Sequence, residues 1–64
     1  MSYILLYSER YGYFEGSHNG YIHHTQDFHC AVNYDYLDEA MRIREFLNAR
    51  YDGDYHIKVF SVEG

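Results

Sequence analysis

Four histidines and one cysteine, residue types that bind metal, lie between positions 18 and 30 of the chain: His18, His23, His24, His29 and Cys30. Imidazole and thiolate groups are the ligands that zinc prefers, but zinc sites usually space their Cys or His pairs in a recognisable motif. Neighbouring residues of a strand point to opposite faces, so His23 and His24 are not expected to share a metal. The spacing favours polar residues on a hairpin surface, and we expect no metal and no other cofactor. A His-rich metal-binding module is kept as an alternative.

The residues that could catalyse a reaction are also poorly arranged for it. Cys30 and His29 could form a nucleophile and its base, but sequence neighbours rarely face each other and no third, orienting group is apparent. The acidic pairs Asp38–Glu39 and Asp52–Asp54 stand where helix caps and turns already call for acids. No glycine-rich phosphate loop is present. We therefore predict a binding protein without catalytic residues, and not an enzyme.

Length and cysteine content limit the architecture that must position these residues. Sixty-four residues have room for one core, which predicts a single domain over residues 1–64. The single cysteine rules out an internal disulfide and fits a reducing cytoplasm. The apolar run Tyr3–Tyr7 is too short for a signal peptide or a membrane span, so we expect neither export nor membrane insertion.

Charge and aromatic content indicate what the chain binds. Ten acidic residues against five Lys and Arg give a net charge of −5, which repels phosphate backbones and favours a basic partner. Direct binding to nucleic acid is therefore not expected. Nine of the residues are Tyr and none is Trp. Tyrosine contributes a large amphipathic area at low entropic cost, so this surplus indicates a contact surface.

The strongest local signal is the pair Asn19–Gly20, since both residues tolerate the positive φ that a two-residue type I′ hairpin requires. Such a hairpin places Ser17 opposite Ile22 and Glu15 opposite His24. Simple alternation then gives two hairpin faces. One carries Tyr13, Glu15, Ile22 and His24, and the other carries Phe14, His18, Tyr21 and His23.

A helix is predicted from Tyr36 to Tyr51, with Asp35 as its N-cap and Gly53 at its C-terminal end. Its acidic first turn suits the helix dipole. At about 100° per residue, one apolar stripe is predicted to pack on the sheet. The stripe comprises Tyr36, Ala40, Ile43, Leu47 and Tyr51, with Leu37 and Phe46 on its opposite shoulders.

The remaining segments complete the fold prediction. Tyr3–Tyr7 and Tyr55–Val62 read as strands, while Thr25–Phe28 permits a short helical turn or an irregular crossing and Ala31–Tyr34 a short strand. The sequence thus predicts an α+β fold, a small antiparallel sheet of three to five strands with one α-helix on one face, in the order β-β-β-(β)-α-β. One helix covers one sheet face, so we expect the other face to form a homodimer contact. Its predicted residues are Ile4, Leu6, Phe60 and Val62.

Several segments resemble very short accessory proteins of phages and mobile elements, including anti-CRISPR-like inhibitors. These are the apolar opening strand, Tyr13–Gly16, Thr25–Ala31, Tyr34–Ala40 and the closing strand Val59–Val62. The resemblance extends over most of the chain as a pattern of apolar spacing. It implies a product that binds and disables a host protein, such as an immune effector, in the host cytoplasm.

We therefore predict a small acidic protein-binding module that inhibits or modulates a host protein. An alternative is a homodimeric small-molecule or nucleotide binder with a pocket lined by Tyr and His. The predicted partner-binding residues are Tyr11, Tyr13, Glu15, Tyr21, Asp27, Tyr34, Asp38 and Glu45.

Overall fold

The computed structural model describes residues 2–51 and 54–61. Four antiparallel strands form one sheet in the spatial order β3-β2-β1-β4, with a single α-helix in the connection to β4. This confirms the predicted α+β fold. The elements are β1 (Ser2–Ser8), β2 (Gly12–His18), β3 (Tyr21–Thr25), a 3₁₀ turn (Phe28–Cys30), α1 (Leu37–Arg50) and β4 (His56–Ser61).

The turn between β2 and β3 forms where the sequence predicts it. Asn19 has a φ of 53° and Gly20 a φ of 81°, so both residues adopt the left-handed backbone that a two-residue hairpin loop requires. Ser17 lies opposite Ile22, as expected. The part of the hairpin nearest the turn therefore has the predicted register.

The register changes at a β-bulge further along the hairpin. Phe14 pairs with His24 and Gly16 with His23, which leaves Glu15 as the extra residue of β2. Gly16 has a φ of 125°, a backbone conformation that side chains rarely permit. The predicted pairing of Glu15 with His24 is therefore wrong. One extra residue exchanges the two faces beyond it, so Tyr13 and Phe14 each lie on the face opposite to the predicted one, while the predicted grouping of the β3 residues is unchanged.

The segment that we predicted as an optional short strand instead bridges two strands. β1 and β2 pair only near their connecting turn. Beyond that point Val32 donates its backbone N–H to the carbonyl oxygen of Phe14 at 3.1 Å, and Tyr34 donates to that of Ile4 at 2.9 Å. The Asn33 side chain accepts the backbone N–H of Ile4 at 3.0 Å. The chain therefore fills the space where β1 and β2 separate, and satisfies backbone groups of both.

The turn between β1 and β2 is organised by a buried hydroxyl. Ser8 is fully buried, and its Oγ accepts the backbone N–H groups of Arg10 and Tyr11, each at 3.2 Å. The same Oγ donates to Asp54 Oδ1 at 2.5 Å. These hydrogen bonds tie the turn to the residues that lead into β4.

The helix starts one residue later than predicted, with Tyr36 and not Asp35 at the N-cap position. The Tyr36 side chain makes no capping hydrogen bond, whereas Asp38 and Glu39 supply the expected negative charge in the first turn. The predicted C-terminal Gly53 lies outside the described residues. With 14 residues, α1 is too short to cross a membrane, and no helix in the described part of the chain is long and apolar enough to do so.

The main core lies between α1 and the sheet. The middle of the predicted helix stripe is confirmed, since Ala40 and Leu47 are buried, but its two ends are wrong: Tyr36 is 68% exposed and Tyr51 is 45% exposed. The helix packs mainly on β1 and β4. The buried core residues are Leu6, Phe14, Tyr34, Ala40, Leu47 and Tyr55, and Ile4, Ile22, Val32, Ile43 and Ile57 pack against them.

The opposite sheet face, where the sequence predicts contact with a second copy, is partly covered by the chain itself. The 3₁₀ turn places Phe28 against this face, with its ring centroid 5.7 Å from that of Tyr3 and 5.2 Å from that of Phe60. Leu5, which points to the same side, is completely buried. A short turn between β3 and α1 therefore contributes to a second layer.

The four residues predicted to form one dimer face do not share a face. Ile4 and Leu6 pack into the core beneath α1. Phe60 pairs with Tyr3, whose side chain points away from that core because alternate residues of a strand face opposite sides. Val62 lies outside the described residues. Among the predicted dimer-face residues that the structure describes, only Phe60 lies on the sheet face away from the helix.

Candidate functional site

A cleft opens between α1 and the β2–β3 hairpin. Because the helix packs mainly on β1 and β4, the hairpin half of the same sheet face has no helix above it. The resulting cleft has a volume of about 390 Å³. Glycine and serine residues of the hairpin form part of its wall. The apolar lining residues are Phe14, Ile22, Ile43, Phe46, Leu47 and Tyr51.

The helix side of the cleft exposes aromatic surface. Phe46 is 52% exposed, and its ring centroid lies 6.4 Å from that of Tyr51 in an edge arrangement. The Arg50 guanidinium carbon stands 5.5 Å from the Phe46 ring centroid. Exposed apolar surface beside a concave opening is typical of interaction sites, so this rim is a candidate contact surface.

Tyr34 places a polar group in the otherwise largely apolar wall. Its side chain is only 8% exposed, and the structure gives its hydroxyl no hydrogen bond to any described residue. No described side-chain oxygen is both fully enclosed and unpaired, so the Tyr34 hydroxyl keeps some access to solvent. Tyr34 is one of the residues that line the cleft. Burial, assisted by the Glu39 carboxylate, raises the pKa of Tyr34 to about 12. The phenol is therefore neutral and can both donate and accept a hydrogen bond.

An aromatic stack stands beside the cleft. The His24 ring lies between Tyr11, at a centroid distance of 5.0 Å, and Tyr55, at 5.7 Å. His24 Nε2 is 2.5 Å from the Tyr55 hydroxyl. Partial burial is the main cause that lowers the pKa of His24, and the charge of the neighbouring His23 is the second. Tyr11, predicted to bind a partner, is thus partly engaged in an intramolecular stack.

A second aromatic surface covers the sheet face away from α1. Tyr7 and Tyr13 have ring centroids 4.7 Å apart, and Lys58 Nζ lies 4.1 Å from the Tyr7 ring centroid. These side chains are half-buried. We call this surface the aromatic face, and it comprises Tyr3, Tyr7, Tyr13, Phe28 and Phe60.

The region around Cys30 does not have the geometry of a nucleophile and its base. Asp27 accepts hydrogen bonds from the backbone N–H of His29 at 3.0 Å and from its Nδ1 at 3.2 Å. The Cys30 thiol points to Asp27 Oδ2 at 3.7 Å, and the negative charge of Asp27 raises the pKa of this thiol. A carboxylate disfavours the reactive thiolate. Asp27, a predicted partner residue, caps the 3₁₀ turn.

The five clustered metal-binding side chains are dispersed in the fold. His18 and His23 have ring centroids 6.2 Å apart on the hairpin, His24 is in the stack, and His29 and Cys30 lie beside the same aspartate. Within residues 2–51 and 54–61, no group of three His, Cys, Asp or Glu side chains is placed to hold a metal ion.

The other predicted partner residues are scattered over the surface. Glu15 is exposed at the bulge, Tyr21 is exposed after the hairpin turn, and Asp38 and Glu45 are exposed on α1. These four residues do not line the cleft. Tyr34 alone among the predicted partner residues lines it, as a buried side chain and not as part of an exposed surface.

Sequence reasoning missed the cleft because it missed the bulge. Without the bulge, Phe14 and Ile22 are assigned to opposite faces of the hairpin, whereas in the structure both pack toward the helix side. A signal was available in Gly16, since an isolated glycine within a strand often marks a bulge. Phe46 was correctly placed on a shoulder of the helix stripe, where it now forms a rim of the cleft.

The chain matches no protein-family model, no curated protein and no solved structure. The functional argument therefore rests on the geometry of the cleft and of the surfaces around it.

Proposed function

We propose that this chain is a protein-binding module that inhibits or modulates a host protein by direct contact through the cleft between α1 and the hairpin. The observation that carries the proposal is the uncovered hairpin half of the helix-side sheet face, which leaves an apolar cleft of about 390 Å³ beside the exposed ring of Phe46. Concave apolar surface with an aromatic rim is the kind of surface that anchors a partner side chain.

The lining of the cleft supports binding over catalysis. The described residues that line it include no Asp, Glu, His, Lys, Arg or Cys. Ser17, Tyr34 and Tyr51, which carry hydroxyl groups, also line the cleft, but a hydroxyl nucleophile needs an adjacent base to activate it, and these lining residues supply none. The cleft offers apolar contacts and a neutral phenol, which are groups that hold a partner without transforming it.

The net charge of the chain and its resemblance to phage and mobile-element proteins indicate the class of the partner. A net charge of −5 favours a partner with a basic surface and disfavours phosphate backbones. The resemblance to phage and mobile-element accessory proteins supports a host protein as the target. Cys30 is exposed and unpaired, which is compatible with the reducing cytoplasm of a host cell.

The proposal includes self-association through the aromatic face. Its rings are half-buried and lie on the side of the sheet away from α1, so a second copy can cover them while the cleft stays open. A domain of 64 residues buries a small core and benefits from a partner subunit.

A second candidate function is small-molecule or nucleotide binding, favoured by the size of the cleft. About 390 Å³ falls within the range of small-ligand sites. Native mass spectrometry of the protein purified without denaturant separates the two functions, because a retained small molecule appears as a discrete mass increment.

The test of protein binding compares captured host proteins among three tagged forms. Phe46→Glu places a charge on the rim of the cleft, and Met41→Glu places the same charge on a helix position rotated by roughly 140° from Phe46. Wild type and Met41→Glu should capture a common host protein. Phe46→Glu should capture at least about tenfold less of it, since burying the new carboxylate at an apolar contact costs free energy. Thermal melting of all three forms controls for folding. Undiminished capture by Phe46→Glu of every protein that wild type captures would refute the cleft as the contact surface.

A further inference from the structure

We propose that the cleft takes a basic side chain of the partner, a lysine or an arginine, with its stem against the aromatic wall and its charged head between the Tyr34 hydroxyl and the Glu39 carboxylate. This inference rests on the proposed function and specifies the chemistry of the residue that the cleft recognises.

The first support is the unpaired phenol of Tyr34, a residue that lines the cleft. Tyr34 is more than nine-tenths buried, its backbone is held by the carbonyl oxygen of Ile4, and its hydroxyl has no hydrogen-bond partner among the described residues. A purely apolar anchor would desolvate this hydroxyl without replacing its hydrogen bond to water. An ammonium or guanidinium head donates to the phenol oxygen and removes that penalty.

The second support is the negative charge at the same end of the cleft. Glu39 lies close enough to Tyr34 to raise the pKa of the phenol. Asp35 and Asp38 stand on the same stretch of chain, beside and within the first turn of α1. Arg42 follows Glu39 by three positions and Asp38 by four, so its charge offsets one of the three carboxylates. The helix N-terminus contributes only about half a positive elementary charge, so the net local charge stays negative. The local potential therefore favours a cation and disfavours an acidic anchor.

The basic residue nearest the rim does not cancel this preference. Arg50 stands over the ring of Phe46, eleven positions after Glu39, so the two residues are separated by roughly 16 Å along the helix axis. That distance exceeds the Debye length of about 8 Å at physiological ionic strength. The charge of Arg50 is therefore largely screened at Glu39.

The aromatic wall suits the stem of a long basic side chain. Lysine and arginine pack their methylene groups on apolar surface while the head stays polar. Aromatic rings also attract a cation that approaches their faces. Phe14, Tyr34 and Phe46 line the same cleft. An anchor with an apolar stem and a cationic head therefore matches both parts of the lining.

The test uses three capped tripeptides with leucine at both ends and lysine, norleucine or glutamate in the centre. Norleucine keeps the linear stem and lacks the ammonium group. Binding is followed by NMR titration of the backbone signals of Ile43, Phe46 and Leu47. The lysine peptide should bind about fivefold more tightly than the norleucine peptide, which corresponds to about 1 kcal/mol. The glutamate peptide should bind more weakly than both.

Three variants connect the preference to the named groups. Glu39→Gln and Tyr34→Phe should each reduce the lysine preference to less than about twofold while binding of the norleucine peptide persists. Glu45→Gln removes the same charge from an exposed acid six positions further along α1, and it should keep the wild-type preference. Because Glu39 is exposed, its variant tests the charge even if Tyr34→Phe loses stability.

The failures of the two proposals can be told apart. Equal or tighter binding of the norleucine peptide, or an unchanged lysine preference in Glu39→Gln, would overturn the basic anchor while leaving protein binding intact. Absence of any shift at the three reporter residues with the lysine peptide would overturn it as well. Retained host-protein capture by Phe46→Glu would refute the proposed function whatever the peptides show.

Discussion

At the residue scale, His24 makes the stability of the folded chain depend on pH. The imidazole lies between Tyr11 and Tyr55, and this partial burial is the main cause of its lowered pKa. The charge of the neighbouring His23 is the second cause. The unfolded chain takes up a proton near the ordinary histidine value of about 6.5, whereas the folded chain resists it until a lower pH. The folded state therefore binds fewer protons in this window, and its stability is full above about pH 6.5 and falls as the pH falls.

The corresponding prediction concerns the variant His24→Gln, which is neutral at every pH and can still hydrogen-bond to Tyr55. Its melting temperature should depend less on pH than that of wild type between about pH 7.5 and about pH 5, because the penalty of protonating a partly buried imidazole is absent. His18→Gln, at an exposed position of the hairpin, is the matched control and should keep the wild-type dependence. The two variants are compared by circular dichroism melts. An identical pH dependence for wild type and His24→Gln would contradict the assignment.

At the element scale, local chemistry made part of the fold predictable. Asn19 and Gly20 specify their turn by backbone conformation alone, and the centre of the helix stripe follows from spacing, as Ala40 and Leu47 show. The bulge after Phe14 and the bridging segment at residues 31–34 depend on contacts between distant parts of the chain. The position of the cleft follows from those contacts, so spacing alone does not predict it.

The helix prediction is tested by Leu47→Asp. Leu47 is buried at the centre of the core beneath α1, and an unpaired buried carboxylate costs several kcal/mol, comparable with a total stability of about 5 kcal/mol for a small domain. The variant should be unfolded at neutral pH, as measured by far-ultraviolet circular dichroism. Met41→Glu, on an exposed helix position, should change the free energy of unfolding by no more than about 0.5 kcal/mol. A cooperative melt for Leu47→Asp near the wild-type temperature would show that this helix face is not buried.

At the scale of the whole molecule, the two apolar surfaces lie on opposite sides of the sheet. The cleft opens on the helix side and the aromatic face lies on the other, where Phe28 packs beside Phe60. A contact on one side leaves the other free, so a twofold dimer can present two clefts outward. Two linked clefts raise the apparent affinity for a partner that offers two sites. The two proposed contacts, self-association and partner binding, therefore use separate surfaces.

The last prediction is that the protein is a dimer in solution and that Phe60→Glu makes it monomeric. Phe60 belongs to the half-buried aromatic face, and a carboxylate there opposes desolvation of the contact in both copies of a twofold pair. Val59→Glu is the matched control, since Val59 is the preceding residue of β4, points to the other side and is 62% exposed. Ile4→Glu is unsuitable because Ile4 packs against the core. The masses are measured by size-exclusion chromatography with light scattering over a range of concentrations.

Salt provides an independent check of the same contact. Each copy carries a net charge of −5, so two copies repel each other, and this repulsion is screened as ionic strength rises. Burial of the aromatic face is not weakened by moderate salt, because it depends on apolar area. The wild-type dimer should therefore become tighter from low to moderate salt, and Val59→Glu should show a steeper increase because it adds a further negative charge to each copy. A wild-type chain that stays monomeric at high concentration and moderate salt would refute self-association, and the cleft would then be the sole proposed contact surface.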